Sequence, residues 1–144
     1  IREADIEEKI RQVQEQTKKA TYLGYLTKED KEREYRQCSA FLFPSRAEGF
    51  GMPLLEVMKH NKPILASDLK IFDEVVGNCV ERFSLDGGEE KQIKNLSQAM
   101  HNFDKKASAG IVDENAYKNA LEKFTPDRLG GMVRDFINTQ MENK

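Results

Sequence analysis

Polar stretches of helical period alternate with short apolar runs along the first part of the chain, and helical patterning takes over afterwards. In the charged segment 1–19, Ile6, Ile10 and Val13 fall at helical spacing, the narrow apolar stripe of a surface helix. Tyr22-Leu23-Gly24-Tyr25-Leu26 reads as a buried strand running into a loop. Thr27 then stands where it can cap a polar helix over 28–37, with Asp30 three places on as capping-box partner. Ala40-Phe41-Leu42-Phe43-Pro44 predicts a second buried strand, closed by a proline that cannot donate to a ladder. Pro53 suits the first turn of a helix over about 53–60, and Asn61 tolerates the left-handed conformation wanted at its end. Pro63–Ser67 and Cys79–Phe83 predict two further strands, with a short helix around 71–76 between them that ends at Gly77-Asn78. From Glu89 onward the pattern is helical, over about 89–105, 111–123 and 127–142, punctuated by Asp86-Gly87-Gly88, Ser108-Ala109-Gly110 and Thr125-Pro126.

Buried strands alternating with helices predict an α/β fold, a parallel sheet with helices covering its faces. A core over 20–85 and a helical region over 89–144 follow. The 144 residues suffice for one domain with a real core. Hydrophobic residues make up 38% and charged residues 33%, and the formal net charge is −2. That balance argues against non-specific binding to nucleic acid or to an anionic membrane surface. No apolar run reaches the roughly 20 residues that span a bilayer, and there is no signal-peptide core at the front. Cys38 and Cys79 stand far apart without a Cys-x-x-Cys pair, so they are expected to be free thiols in a reduced compartment, with the cytoplasm as the address. A chain that opens at Ile1 is expected to be processed or part of something longer.

Ligands of an open parallel sheet gather beyond the carboxyl ends of its strands. Here those ends are Gly24-Tyr25, Pro44-Ser45-Arg46 and Ser67-Asp68, and the densest chemistry runs from Pro44 to Glu56. Glycines at 49 and 51 let the backbone approach a ligand closely. A helix opening at Pro53 offers amides at Leu54 and Leu55, whose dipole favours an anion such as a diphosphate. Glu48 and Glu56 bracket that position, and an ionised carboxylate can accept hydrogen bonds from two adjacent hydroxyls, as sugars present. The spacing by itself also fits a solvated surface pair.

The full string Glu48-Gly49-Phe50-Gly51-Met52-Pro53-Leu54-Leu55-Glu56, preceded by Phe43-Pro44-Ser45-Arg46, resembles the Glu-x7-Glu signature of retaining glycosyltransferases of GT-B architecture, the family-4 group in particular. Tyr22–Leu26, the run Val57–Asp68 and Phe72–Gly77 are similar to further segments of that family in the same order, covering about residues 20–80. Asn61 replaces the family's usual glycine and keeps the left-handed option. The resemblance implies a Rossmann-like C-terminal, donor-binding domain. Its implied roles place Glu48, as the catalytic-site residue, on the donor's sugar hydroxyls and Glu56 on the ribose. Backbone at Gly49, Phe50, Gly51, Met52 and Leu54 is implied to hold the sugar and diphosphate, and Tyr25 and Ser45 to lie near the base and ribose. The implied reaction is transfer of a sugar from a nucleotide-diphosphate-sugar donor to a glycan or lipid-linked acceptor, with retention and with no metal or other cofactor. Alternatives are a nucleotide-sugar epimerase, a glycogen synthase or a non-catalytic nucleotide-sugar-binding module.

The resemblance also implies a six-stranded sheet in the order 3-2-1-4-5-6, with the Tyr22 strand third and the Ala40 strand fourth. The family's first two strands are not found ahead of Tyr22, so the domain is expected to be incomplete at its N-terminal side. Either a preceding segment completes it, or the unpaired edges pair across two copies in a homo-oligomer. The acceptor-binding N-terminal domain is likewise expected to be missing, leaving the fragment inactive, and the full protein cytoplasmic or peripheral to the membrane. Among the remaining candidates, Arg46 reads equally as a diphosphate contact or a solvated residue. His60 fits the negative end of the motif helix, Asp73 is expected to cap the short helix, and Glu74 either caps it or reaches the site. His101 is expected to be exposed, and no His/Cys cluster has metal-ligand spacing.

Overall fold

The computed structural model describes residues 3–17, 19–108, 112–132 and 134. The chain divides into two compact units, Ile1–Arg33 and Glu34–Lys144. In the first unit, α1 (Glu3–Thr17) is followed by irregular chain and then by the start of α2 (Lys28–Gln37). Ile10 is half-buried and Val13 exposed, so the expected apolar stripe is largely solvated there; the Ile6 side chain lies outside the described residues. Thr27 caps α2 as its position predicts: its hydroxyl accepts from the Asp30 amide at 3.1 Å and donates to the Asp30 carboxylate at 2.8 Å. That hydrogen bond, joined by Arg33 at 2.7 Å, holds the Asp30 carboxyl below its usual range.

The strand expected at Tyr22–Leu26 does not form. The segment is irregular, with Leu23 52% and Tyr25 94% exposed. A strand is stable only in a ladder, and the one sheet among the described residues contains no part of this segment. Gly24 adds a local cause, since its φ of +62° interrupts an extended run.

The second unit is built on three parallel strands, β1 (Phe41–Phe43), β2 (Ile64–Ser67) and β3 (Glu81–Phe83), in the order β1-β2-β3. Phe41 pairs with Ile64 and Phe43 with Ala66; Leu65 pairs with Glu81 and Ser67 with Phe83. Helix α3 (Met52–Met58) links β1 to β2, and α4 (Ile71–Val75) links β2 to β3. The strands run parallel in chain order, as expected of the three strands from Ala40 onward. α5 (Glu89–Ser108) and α6 (Glu114–Glu122) follow, and residues 126–132 are helical as well. The helix expected over 127–142 therefore begins in place, and its remainder lies outside the described residues, apart from 134.

All four β2 residues are buried, as a central parallel strand requires. Alternation sends Ile64 and Ala66 to the cluster formed with Leu54, Val57 and Met58 of α3 and with Tyr117 and Ala120 of α6. Leu65 faces the other way, toward Ala99 and Phe103 of α5. Each large side chain buried this way contributes about 1.5–3 kcal/mol. α3 closes at Asn61, whose φ of +51° is the left-handed value anticipated there. Cys38 and Cys79 are free and partly buried, and burial pushes both thiols up, which keeps them protonated and unreactive.

Tyr117 fastens α6 to the chain entering β2: its hydroxyl donates to the Lys62 carbonyl at 3.1 Å, and burial pushes the phenol up. Tyr117→Phe removes that bond and strands a carbonyl, so denaturant unfolding is expected to show a loss of about 1–2 kcal/mol. An unchanged midpoint and slope would mean the bond contributes nothing.

Candidate functional site

The loop leaving β1 is held from below by the end of β2. Ser67, fully buried, donates its hydroxyl to the Ser45 carbonyl at 2.5 Å. Ser45 in turn has two acceptors for one proton, the Glu48 carboxylate at 2.8 Å and the Ala47 carbonyl at 3.0 Å. The parallel register makes this possible, because it brings the carboxyl ends of adjacent strands to one edge of the sheet.

Gly51 sets the next turn. Its backbone is left-handed (φ +88°, ψ +41°), and it caps α3 without a side chain. A Cβ at this position would lie 2.7 Å from Cε1 and 3.3 Å from Cδ1 of Phe72, a ring with no exposed surface. Glycine is thus required twice over, by conformation and by space. Pro53 occupies the first turn of α3, where its missing N–H costs nothing. The amide of Leu54, expected to be free, instead donates to the Gly51 carbonyl at 3.0 Å, a tightened first turn. Its side chain is fully buried.

Phe50 packs edge-on against Phe124 with ring centroids 5.0 Å apart. Together with Met52 and Glu56 it lines a cleft of about 1250 Å³, whose far wall comes from α6 and the helical residues after it. Ser45, Glu48, Gly49, Gly51 and Leu54 do not line that cleft, so the two glutamates flank the turn without sharing one cavity. Tyr25 belongs to the first unit. Glu74 does reach the cleft. Asp73, by contrast, does not cap α4. The helix has no side-chain cap, and the Asp73 carboxylate accepts from Arg82 at 3.3 Å instead, which is the stronger partner for an ion. Arg46 and His101 are exposed and His60 is half-buried.

Among the described residues, Glu56, Glu74, Glu114 and Glu122 on the cleft are matched by Lys59, Lys118, Lys123 and Arg128. The cleft is therefore amphipathic rather than a basic anion trap. Lys118 and Arg128 were hidden in the sequence among balanced helical charges, where no spacing separates them from solvated neighbours. Ser67 was visible only as the last residue of a strand. Among the described residues, no group of three or more His, Cys, Asp or Glu is placed to hold a metal ion. No helix among them is long and apolar enough to cross a membrane.

The parallel strands, with this loop at their carboxyl edge, are those of a Rossmann-like GT-B domain fragment of a glycosyltransferase. The chain belongs to the glycosyl transferases group 1 family, whose model matches residues 3–120. It is similar to O-antigen chain mannosyltransferase B of Escherichia coli, 42% identical over 58 residues, which are 40% of this chain and 15% of that protein. It is similar also to O-antigen chain mannosyltransferase RfbU of Salmonella typhimurium, 34% identical over 82 residues, 56% of this chain and 23% of that one. Serotype-specific mannosyltransferase WbdA of Escherichia coli is 41% identical over 56 residues, 39% of this chain and 7% of the relative. The matched stretches thus span less than a quarter of these curated relatives.

Gly51→Ala is expected to destabilise the protein by about 1–3 kcal/mol, from left-handed strain and displacement of the Phe72 ring. Thermal or denaturant unfolding reads the change, and a stability equal to wild type contradicts the close approach.

Proposed function

We propose that the protein of which this chain forms part transfers a sugar, mannose, from a nucleotide-diphosphate donor to a hydroxyl of a growing surface polysaccharide, with retention at the anomeric carbon. The observation that carries this reading is that the family match runs through the Glu48–Glu56 loop, which stands at the carboxyl edge of a parallel sheet. The mannosyltransferase relatives support the choice of sugar and acceptor.

In this reaction the bond between the anomeric carbon and the diphosphate oxygen breaks, and a bond to the acceptor oxygen forms. The acceptor's proton passes to the departing diphosphate. In our reading Glu48 accepts hydrogen bonds from the donor sugar and is steadied by Ser45, while Glu56 accepts from the ribose hydroxyls. Backbone at Gly49, Phe50, Gly51 and Met52 lines the sugar and diphosphate, and the leaving charge is met by amides and by basic groups. Donor binding needs no metal in this proposal. The acceptor side comes from a part of the protein outside this chain, so the chain alone binds donor without transferring it. The two free thiols support a cytoplasmic address, with the acceptor bringing the enzyme to the membrane surface.

The test is the full-length protein assayed with UDP-, GDP- and ADP-sugars, including those of mannose, against a polysaccharide acceptor. Transfer is expected with one nucleotide–mannose donor, falling about 10²-fold in Glu48→Gln and rising in donor KM about tenfold in Glu56→Gln. Donor binding without turnover points to a non-catalytic module, and full activity in both variants removes the glutamates from the reaction.

A further inference from the structure

Arg82 engages several partners at once, and no motif marks it. It stands in the middle of β3 with only 17% of its side chain exposed. One arm of the guanidinium donates to the Gly77 carbonyl at 2.7 Å, at the turn that ends α4. The other arm reaches the Leu69 carbonyl at 3.4 Å and the Asp73 carboxylate at 3.3 Å, with Asp68 at 3.9 Å. The planar fork therefore grips both ends of the segment between β2 and β3. A lysine's single point charge cannot reproduce that geometry.

Between those ends lies Phe72. The guanidinium carbon sits 5.7 Å from its ring centroid, within cation–π range. The ring has no exposed surface, packs 5.9 Å from Phe43 at the end of β1, and is the surface on which Gly51 turns. Displacing the ring moves the floor of the turn between Glu48 and Glu56.

We propose that Arg82 is a positioning residue for the Glu48–Glu56 loop, acting through Phe72 from the strand below. The proposal deepens the donor-binding reading above and rests on it for its kinetic consequence, though not for its structural one. The two are separable because the position of Gly51 can be read without any assay.

The experiment compares wild type, Arg82→Met and Arg82→Lys in full-length protein labelled with 15N-glycine. Arg82→Met is expected to shift the amide resonances of Gly49 and Gly51 as well as that of Gly77. Donor KM is expected to rise roughly tenfold, less than the ~10²-fold that a 1 Å misplacement can cost, with acceptor KM unchanged. Arg82→Lys is expected to give smaller shifts and an intermediate donor KM. A purely structural role predicts a lower kcat from a smaller folded fraction, with both KM values intact. If the Gly77 resonance moves while Gly49 and Gly51 coincide with wild type, Arg82 serves only its own segment and the proposal fails. If Gly51 moves but no sugar donor binds to wild type, the positioning stands and the donor reading is what fails. Should Arg82→Met not fold, Arg82→Lys carries the test, and failure of both to fold overturns the proposal.

Discussion

A glycine backbone resting on a buried phenyl ring is the constraint on which the second unit's chemistry depends. Gly51 adopts a left-handed turn, and the space its missing side chain leaves is filled by Phe72. That close approach aims α3 out of the turn, putting Leu54, Val57 and Met58 into the core and leaving Met52 and Glu56 at the cleft. The same ring packs on Phe43 and therefore on the strand that launches the loop. The loop is fixed at its start by the Ser67–Ser45 hydrogen bond and at its turn by Phe72, while Glu48 between them stays exposed. Rigid supports beneath an exposed acidic residue are what a binding loop on a parallel sheet needs, since precision comes from the elements below it.

Strands bounded by proline or glycine were legible from the chain because each sits between helices of clear period. β1, β2 and β3 formed where Phe41–Phe43, Ile64–Leu65 and Phe83 mark them, and Asn61 and Gly77 took the left-handed ends their types favour. Tyr22–Leu26 shows the limit of such reading. Its residues have strand propensity, yet propensity acts only through a neighbouring ladder, and the segment has none among the described strands. At the site, the glycines and Pro53 declared themselves because backbone requirements are written in residue type. The capture of the Leu54 amide by Gly51, the turn of Asp73 toward Arg82 and the role of Phe72 were not legible. They depend on how the folded chain brings groups together, near in sequence for Leu54 and Gly51 and across elements for Phe72 and Gly51, which residue type does not announce.

Charge places a further condition on function. The cleft beside α3 carries acids and bases in equal number, so no pool of positive charge waits there for a diphosphate. A ligand entering that cleft is met by charges of both signs, so hydrogen-bond geometry and apolar contact outweigh long-range attraction there. The match to the glycosyl transferases group 1 model, over residues 3–120, takes in both the loop and the α3 wall of the cleft.

Hydrogen–deuterium exchange on the full-length protein, with and without a saturating nucleotide-diphosphate mannose, tests the central claim most directly. The account expects protection concentrated in the peptide spanning Ser45–Leu55, with little change in α5. Protection that leaves this peptide untouched, or that centres on another face of the sheet while the donor is demonstrably bound, would contradict it.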